Sequence, residues 1–281
     1  MRVIEHIKEM QAWSDAERRD RRRIVLVPTM GALHEGHLSL VRDGRQRGER
    51  LVVSLFVNPA QFAPHEDYSA YPRDVERDRV LLEKEKVDIL FCPSVAEVYP
   101  EGYQSYVAVE KLSPLLCGEF RPGHFRGVAT VVAKLFNIVR PHAAIFGAKD
   151  YQQLQVMRRM VSDLNFDVEV IDHPTVRDKD GLALSSRNVY LNQEEKTAAL
   201  SLYRSLKRAE SLVLRGERES RCIIDAVRAE IENEPLARIE YVKVCHPETL
   251  EQVARVEGEA LLALAVWVGK ARLIDNTILK A

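Results

Sequence analysis

The sequence predicts an α/β fold, in which a parallel sheet is flanked by helices and followed by a smaller C-terminal α+β unit. Up to about residue 170, short apolar runs rich in β-branched residues alternate with amphipathic helical stretches. The apolar runs are nearly continuous, which is typical of parallel strands buried on both faces. Near Asp172 this alternation stops, and long helical segments precede strands of a different pattern.

Each element of the first unit is predicted from its local pattern. The first strand, at residues 24–27, is brief and β-branched, and the helix after it places Leu38 and Val41 on one side. The predicted elements in chain order are a strand at 24–27, a helix at 37–47, a strand at 51–57, a helix at 74–86, a strand at 87–91, a helix at 128–139, a strand at 143–146 and a helix at 151–164.

The second unit is predicted to begin after residue 174, which gives domains at 1–174 and 175–281. Two helical segments rich in Ala, Leu, Arg and Glu occupy residues 193–232, with a break at 215–217. The elements predicted after them are a strand at 239–244, a helix at 247–256 and strands at 260–267 and 272–274.

Charge and hydropathy exclude two classes of partner. The 41 basic and 42 acidic residues nearly cancel, so no global field would gather a nucleic acid backbone. The arginine-rich run at 18–23 is better explained as a solvated helix end. The longest apolar stretch, at 260–268, is about half of the roughly 20 residues that a membrane helix needs, and the N-terminus lacks the apolar core of a signal peptide. We therefore expect no nucleic acid or membrane partner.

Cysteine usage favours a cytoplasmic protein. The four cysteines lie far apart and form no C-x-x-C pair, so we expect buried reduced thiols in preference to disulfides or a zinc site. They are Cys92, Cys117, Cys222 and Cys245.

The segment 28–37, Pro-Thr-Met-Gly-Ala-Leu-His-Glu-Gly-His, follows the first strand and opens a helix. Unpaired backbone N–H groups and the macrodipole at a helix N-terminus favour an anion there. Gly31 permits a sharp turn, and Gly36 lets a phosphate come close. His34 and His37 are three residues apart, so they share a helical face from which two imidazoles can donate to a triphosphate. An ordinary strand-to-helix turn with incidental histidines is the alternative.

Other phosphate and metal motifs do not fit this segment. His37 stands where a P-loop requires lysine, and the two histidines are one residue too close for the H-E-x-x-H zinc motif. The segment lacks G-x-G-x-x-G, and the second strand is followed by Asn58, where a nicotinamide site needs an acidic residue.

The segment 184–188, Leu-Ser-Ser-Arg-Asn, offers two hydroxyls and a guanidinium that can bind phosphate bidentately. Alone it would be more typical of a serine N-cap before a helix. H-x-G-H after a first strand resembles the signature of nucleotidyltransferases related to class I aminoacyl-tRNA synthetases. Those proteins carry a second loop, rich in Lys or Ser, that closes on the phosphates, and Ser185, Ser186 and Arg187 fit it.

Six segments in order resemble the motifs of the pantothenate synthetase (pantoate–β-alanine ligase) family. The resemblance implies a Rossmann-like nucleotidyltransferase domain at 1–174 and a smaller domain at 175–281 that closes over the site. It implies a ligase that joins pantoate and β-alanine with ATP through a pantoyl adenylate, as a homodimer with Mg²⁺. The segments are 28–37, 56–62, 71–73, 121–127, 146–154 and 180–188.

The resemblance also implies roles for individual residues. His34, His37, Lys149 and Arg187 would be catalytic, and Gly147 and Asp150 would contact the ribose. Gln61 and Gln153 would hold pantoate, since amides bind oxygens without adding charge. The remaining residues implied at the ATP site are Met30, Gly31, Ala32, Leu33, Glu35, Gly36, Ala148, Val176, Leu184, Ser185 and Ser186. Ala148 departs from the family, which usually has glutamate there.

Three assignments stay open at this point. Asn58 could frame the pantoate pocket or serve as a turn residue before Pro59. Asp78 could help to hold Mg²⁺ or lie on an exposed helix face. Arg121 could be an anion anchor, a dimer contact or a surface arginine. The rival functions are another nucleotidyltransferase with a phosphate acceptor and a catalytically silent module that binds nucleotide or RNA.

Overall fold

The computed structural model describes residues 1–64 and 66–281, which divide into two compact units. The first unit comprises residues 1–113, 121–148 and 153–174. The second comprises residues 114–120, 149–152 and 175–281, so two short segments from the N-terminal part of the chain belong to it.

The first unit contains a six-stranded sheet in the order β1-β4-β3-β2-β5-β6, with every pair parallel. The central strands are buried nearly throughout, which explains why their sequences are continuous apolar runs. The predicted α/β class is confirmed. The strands are β1 Arg2–Ile4, β2 Ile24–Thr29, β3 Arg50–Leu55, β4 Ile89–Phe91, β5 Ala143–Gly147 and β6 Glu169–His173.

Among the described residues, seven helices lie between residues 7 and 163, and one of them, Cys117–Phe120, belongs to the second unit. The predicted helices at 37–47, 74–86, 128–139 and 151–164 are present with bounds shifted by a few residues. The helices are α1 Ile7–Arg19, α2 Glu35–Arg47, α3 Val75–Lys84, α4 Val95–Val98, α5 Cys117–Phe120, α6 His124–Val139 and α7 Tyr151–Asp163, with 3₁₀ turns at Pro59–Gln61 and Ala148–Asp150.

The two edge strands were not predicted. β1 has only three residues, of which one is buried, and β6 has one buried residue among five. Neither strand therefore has the long apolar run on which a prediction of a buried strand depends.

The second unit packs two helices against a three-stranded antiparallel sheet in the order β7-β8-β9. The strands of an antiparallel sheet can have one polar face, so they need not be apolar at every position. β8 is nonetheless buried at eight of its ten positions. The elements are a 3₁₀ turn Ser186–Tyr190, α8 Gln193–Leu214, α9 Ser220–Glu232, β7 Ala237–Cys245, β8 Glu259–Val268 and β9 Ala271–Lys280.

The helix predicted at 247–256 is wrong, because this segment is a turn at 247–249 followed by isolated β-bridges at Gln252 and Arg255. Leu250 has φ of 60°, in the left-handed region, which interrupts a right-handed helix. The His246 N–H donates to the Glu251 carbonyl at 2.8 Å, and the Val253 N–H donates to the Val244 carbonyl at 3.0 Å. The segment thus folds back onto β7.

The cysteine prediction needs one correction. All four thiols are free, and Cys117 and Cys245 are buried, but Cys222 is exposed on α9. Groups of three or more potential metal ligands from His, Cys, Asp and Glu do not occur among the described residues. Over the same ranges, every helix is too short or too polar to cross a bilayer.

Candidate active site

The loop after β2 turns sharply before α2 begins. Gly31 has φ of 87° and Ala32 has φ of 52°, so two successive residues occupy the left-handed region. This conformation is natural for glycine and strained for alanine, which therefore needs support from its surroundings. His34 is the N-cap of α2, and Glu35 begins the helix with its carboxylate against Arg42, which lowers the Glu35 pKa.

His34, at the N-cap, and His37, in the first turn of α2, lie close together, although the extended backbone of His34 precedes the helix. Their ring centroids are 4.0 Å apart, and the His34 N–H donates to His37 Nδ1 at 3.4 Å. A ring nitrogen that accepts a hydrogen bond carries no proton, so the proton of a neutral His37 sits on Nε2. The His37 ring is thus set as a donor through Nε2.

Asp78 supports the strained loop from α3. Its carboxylate is fully buried and accepts from the Ala32 N–H at 2.8 Å and from the Leu33 N–H at 2.9 Å. Burial raises the Asp78 pKa, and the two N–H donors oppose that effect. Both oxygens are occupied by backbone donors, a geometry that favours holding the loop over binding Mg²⁺. Of the two alternatives for Asp78, the one that places it on an exposed helix face is wrong.

We expect Asp78→Ala to destabilise the protein by about 1–3 kcal/mol, because the buried Leu33 N–H and the half-buried Ala32 N–H lose their acceptor. The same variant should slow ATP-dependent turnover, because Ala32 and His34 share the loop. Thermal unfolding and turnover at several Mg²⁺ concentrations measure both effects. Glu76→Ala, at a side chain 81% exposed on the same helix, is the control and should stay within about 0.5 kcal/mol of the parent. Unchanged stability with a raised Mg²⁺ requirement would instead identify Asp78 as a metal ligand.

Asn58 and Gln61 follow β3, which lies beside β2 in the sheet, so both lie near the loop after β2 at the carboxyl ends of the two strands. Asn58 is 1% exposed and Gln61 is 9% exposed. Gln61 Nε2 donates to the Met30 sulfur at 3.1 Å. The Asn58 side chain also accepts from the Ala60 N–H, as a turn residue would, while its amide contacts Gln61. Both alternatives for Asn58 are thus compatible with the structure.

Arg121 and its neighbour His124 stabilise the segment that carries Gln61. Its guanidinium donates to both carboxylate oxygens of Glu66 at 2.6 Å, and His124 Nδ1 lies 2.8 Å from the Gln61 carbonyl oxygen. Gly127 on α6 touches the same segment, since a Cβ there would lie 2.1 Å from the Ala60 carbonyl oxygen. These groups border a cavity of about 220 Å³. Arg121 is therefore an ion-paired, mostly buried residue and not a surface arginine.

Gln152 and Gln153 differ in their surroundings. Gln152 is buried and bonds the backbone of Leu115 and Cys117, a structural role. Gln153 is half-buried on α7, and its amide makes no hydrogen bond to the residues that the structure describes. The amide of Gln153 is therefore available to a substrate, as its predicted role requires.

In the second unit, β9 holds two predicted phosphate-binding elements, Lys149 and the hairpin that leads into the serine–arginine loop. Asn276 donates to the Lys149 carbonyl at 2.8 Å, and the neighbouring Asp275 accepts two hydrogen bonds from Arg177 at 2.6 and 2.8 Å. Arg177 pairs with Ala183 in the short hairpin before the serine–arginine loop. The Lys149 amine lies 3.9 Å from an Asp150 carboxylate oxygen.

The serine–arginine loop begins with a capping interaction. Ser185 Oγ accepts from the Arg187 N–H at 3.3 Å and caps the 3₁₀ turn Ser186–Tyr190. The Leu184 N–H donates to the Val176 carbonyl at 2.9 Å, which ties the start of the loop to the hairpin. The N-cap that this sequence suggests is thus present, and the phosphate-binding role of the loop stays a prediction.

Comparison with known proteins gives matches over nearly the whole chain. The model of the family described as pantoate-beta-alanine ligase matches residues 2–278. A pantothenate synthetase of Thermotoga petrophila is 57% identical over 279 residues, which cover 99% of this chain and 100% of that protein.

Two solved structures are also similar. The crystal structure of pantothenate synthetase from Thermus thermophilus superposes with a TM-score of 0.94 at 48% identity and covers 99% of each chain. The pantoate-beta-alanine ligase of Francisella tularensis, complexed with beta-gamma ATP and beta-alanine, superposes with a TM-score of 0.80 at 32% identity over 99% of this chain and 97% of that one.

Proposed function

We propose that this chain, which belongs to the pantoate–β-alanine ligase family, joins pantoate to β-alanine with ATP and releases AMP and pyrophosphate. The observation that carries the proposal is the contact between Gln61 and Met30. It sets an amide suited to a small hydroxy acid beside the loop suited to a triphosphate, so the acid can meet the α-phosphorus. A relative solved with an ATP ligand and β-alanine supports the same substrates.

In the proposed first step, a pantoate carboxylate oxygen forms a bond to the α-phosphorus of ATP. The bond from that phosphorus to the bridging oxygen breaks, and pyrophosphate leaves. Such a transfer needs positioning and charge neutralisation more than covalent participation by the protein. His34 and His37 would donate to phosphate oxygens, and Lys149 would neutralise the charge on the transferred group.

The serine–arginine loop would complete the ATP site from the second unit. Ser185 and Ser186 offer hydroxyl donors, and Arg187 can bind two phosphate oxygens at once. Gly147 and Asp150 would contact the ribose, and Val176 and Leu184 would also line the ATP site. The loop after β2 and Ala148 would provide the remaining contacts.

In the proposed second step, the amine of β-alanine attacks the carbonyl carbon of the pantoyl adenylate. The bond from this carbon to the phosphate oxygen breaks, and AMP leaves with that oxygen. The ammonium proton must be lost, and the departing phosphate or water can accept it. Gln61 and Gln153 would hold the pantoyl group throughout, and Asn58 would help to frame the pocket through its bond to Gln61.

We propose that Mg²⁺ arrives on the nucleotide, since Mg²⁺ commonly binds to substrate phosphates with few protein ligands. The donor set of the described residues fits no protein cage for Mg²⁺, because Asp78 accepts from the backbone with both oxygens. No step above depends on a protein-bound ion. A homodimer is a further proposal that rests on the family resemblance alone. A cytoplasmic location is another, and it rests on the family resemblance and on the free cysteines.

Isotope exchange tests the proposed first step. Labelled pyrophosphate should enter ATP when pantoate is present and β-alanine is absent, because the first step is reversible and complete without the amine. Measuring which small acids support exchange also separates this ligase from a nucleotidyltransferase with a phosphate acceptor. Exchange that required β-alanine would replace the adenylate by a concerted or phosphorylated-acid route.

A further inference from the structure

The side-chain amide of Asn58 has an orientation that two backbone groups fix. The Ala60 N–H, which can only donate, lies 3.3 Å from Asn58 Oδ1. The Gly127 carbonyl, which can only accept, lies 3.1 Å from Asn58 Nδ2. If the amide were reversed, its NH2 group would face the Ala60 N–H donor and its oxygen would face the Gly127 carbonyl acceptor. Both contacts would be repulsive, so the positions of the Asn58 oxygen and nitrogen are assigned by chemistry.

The orientation of Asn58 determines that of Gln61. Asn58 Nδ2 has a second hydrogen, and the Gln61 amide atom 3.0 Å from it must therefore be the oxygen. Gln61 Nε2 is left on the other side, where it meets the Met30 sulfur at the phosphate-binding loop. One N–H of Gln61 Nε2 donates to Met30, and the second N–H is left to donate to a substrate oxygen, while the amide oxygen faces Asn58.

Tyr99 completes the chain of hydrogen bonds. Its hydroxyl lies 2.8 Å from Asn58 Oδ1, and an amide oxygen can only accept, so the hydroxyl donates. Burial raises the Tyr99 pKa, which keeps the hydroxyl protonated at any physiological pH. The series Tyr99, Asn58, Gln61 therefore runs in one direction, with each donor followed by an acceptor on the next side chain.

We propose that Tyr99 is a positioning residue for pantoate: through Asn58 it holds the Gln61 amide as a donor to a pantoate oxygen. This inference rests on the proposed function and deepens it. Tyr99 follows α4 and lies 41 positions from Asn58, and it acts without touching the substrate. The pocket is therefore specific, beside Gln61, for an oxygen that can accept a hydrogen bond, such as that of a carboxylate or a hydroxyl.

Binding and kinetics of Tyr99→Phe test the relay. Pantoate affinity, measured by calorimetry, should fall roughly tenfold, the size of one lost neutral hydrogen bond. The pantoate KM in pyrophosphate exchange should rise by a similar factor, while the ATP affinity and the ATP KM stay unchanged. Tyr103→Phe is the matched control, because its ring lies 5.0 Å from the Tyr99 ring, edge-on, and its hydroxyl takes no part in the relay. Unchanged pantoate affinity, or an equal loss for ATP, would overturn the proposal.

Gln61→Glu tests the same idea where Tyr99→Phe does not fold. In Gln61→Glu, one carboxylate oxygen can still accept from Asn58. The other oxygen takes the place of Nε2, so an acceptor replaces the donor that would bind pantoate. Pantoate affinity should fall more than in Tyr99→Phe and should partly recover at low pH, where a protonated carboxyl can donate. Equal affinity of the variant and the parent at neutral pH would contradict the donor assignment. Parent protein that binds pantoate without exchange would refute the proposed reaction, and the binding data would still decide the relay.

Discussion

Replacing His37 by alanine should slow pyrophosphate exchange by about 100-fold or more, the loss typical of one preorganised donor at developing charge. His37 is held for this role, since its Nδ1 accepts from the His34 N–H and its ring lies against that of His34. The donor at Nε2 is thus in place before the substrate arrives, and alanine removes it without changing the helix. We expect kcat to fall with little change in the ATP KM.

Two variants calibrate this result. His37→Gln keeps an amide donor near the position of Nε2, so it should lose less activity than His37→Ala. His6→Ala, at an exposed histidine, should have the activity of the parent. Parent rates in His37→Ala, with intact folding, would remove His37 from the mechanism.

Replacing Lys149 by alanine should lower the rate of exchange by about 100- to 1000-fold, because a fixed cation next to the transferred phosphoryl group is lost. The Lys149 side chain is 18% exposed, so its ammonium is partly shielded from water and acts more strongly on a bound phosphate. Asn276 fixes the Lys149 backbone from β9. The loss should therefore appear in kcat.

Lys149→Arg and Asn276→Ala separate charge from position. Lys149→Arg keeps the charge on a planar group of different reach and should retain part of the activity. Asn276→Ala keeps the lysine but frees its backbone, so a smaller loss is expected. Lys270→Ala, at an exposed lysine between β8 and β9, controls for a general effect of lost charge. A Lys149→Ala variant with parent kcat would exclude its proposed role.

The fold was predictable where physical signals are local. β2, β3 and β5 are buried on both faces, so their sequences are continuous apolar runs that identify them. β1 and β6 lie at the sheet edges with few buried residues and give no such signal. The segment 247–256 contains helix-forming residues, but its backbone bonds to β7 leave no mark in the local sequence pattern.

The site, too, was predictable from the sequence only where its residues are close together along the chain. The glycine and the histidine pair of the first loop lie within seven positions of each other, so the sequence alone suggested their chemistry. The residues that hold the segments of the site in place act across long separations, such as 46 positions from Asp78 to Ala32 in the first loop. Another example is the 98 positions from Arg177, in the hairpin before the serine–arginine loop, to Asp275. Tyr99, Asp275 and Asn276 were missed for this reason. A single sequence carries no signal for such pairs.

Transfer of a heavy-oxygen label tests the central claim most directly. Pantoate labelled in its carboxylate would be converted with ATP and β-alanine, and the AMP and pyrophosphate would be examined by mass spectrometry. Attack on the α-phosphorus followed by aminolysis predicts one labelled oxygen in AMP and none in pyrophosphate. Unlabelled AMP would contradict the adenylate route and, with it, the roles proposed here for the histidine pair, Lys149 and the serine–arginine loop.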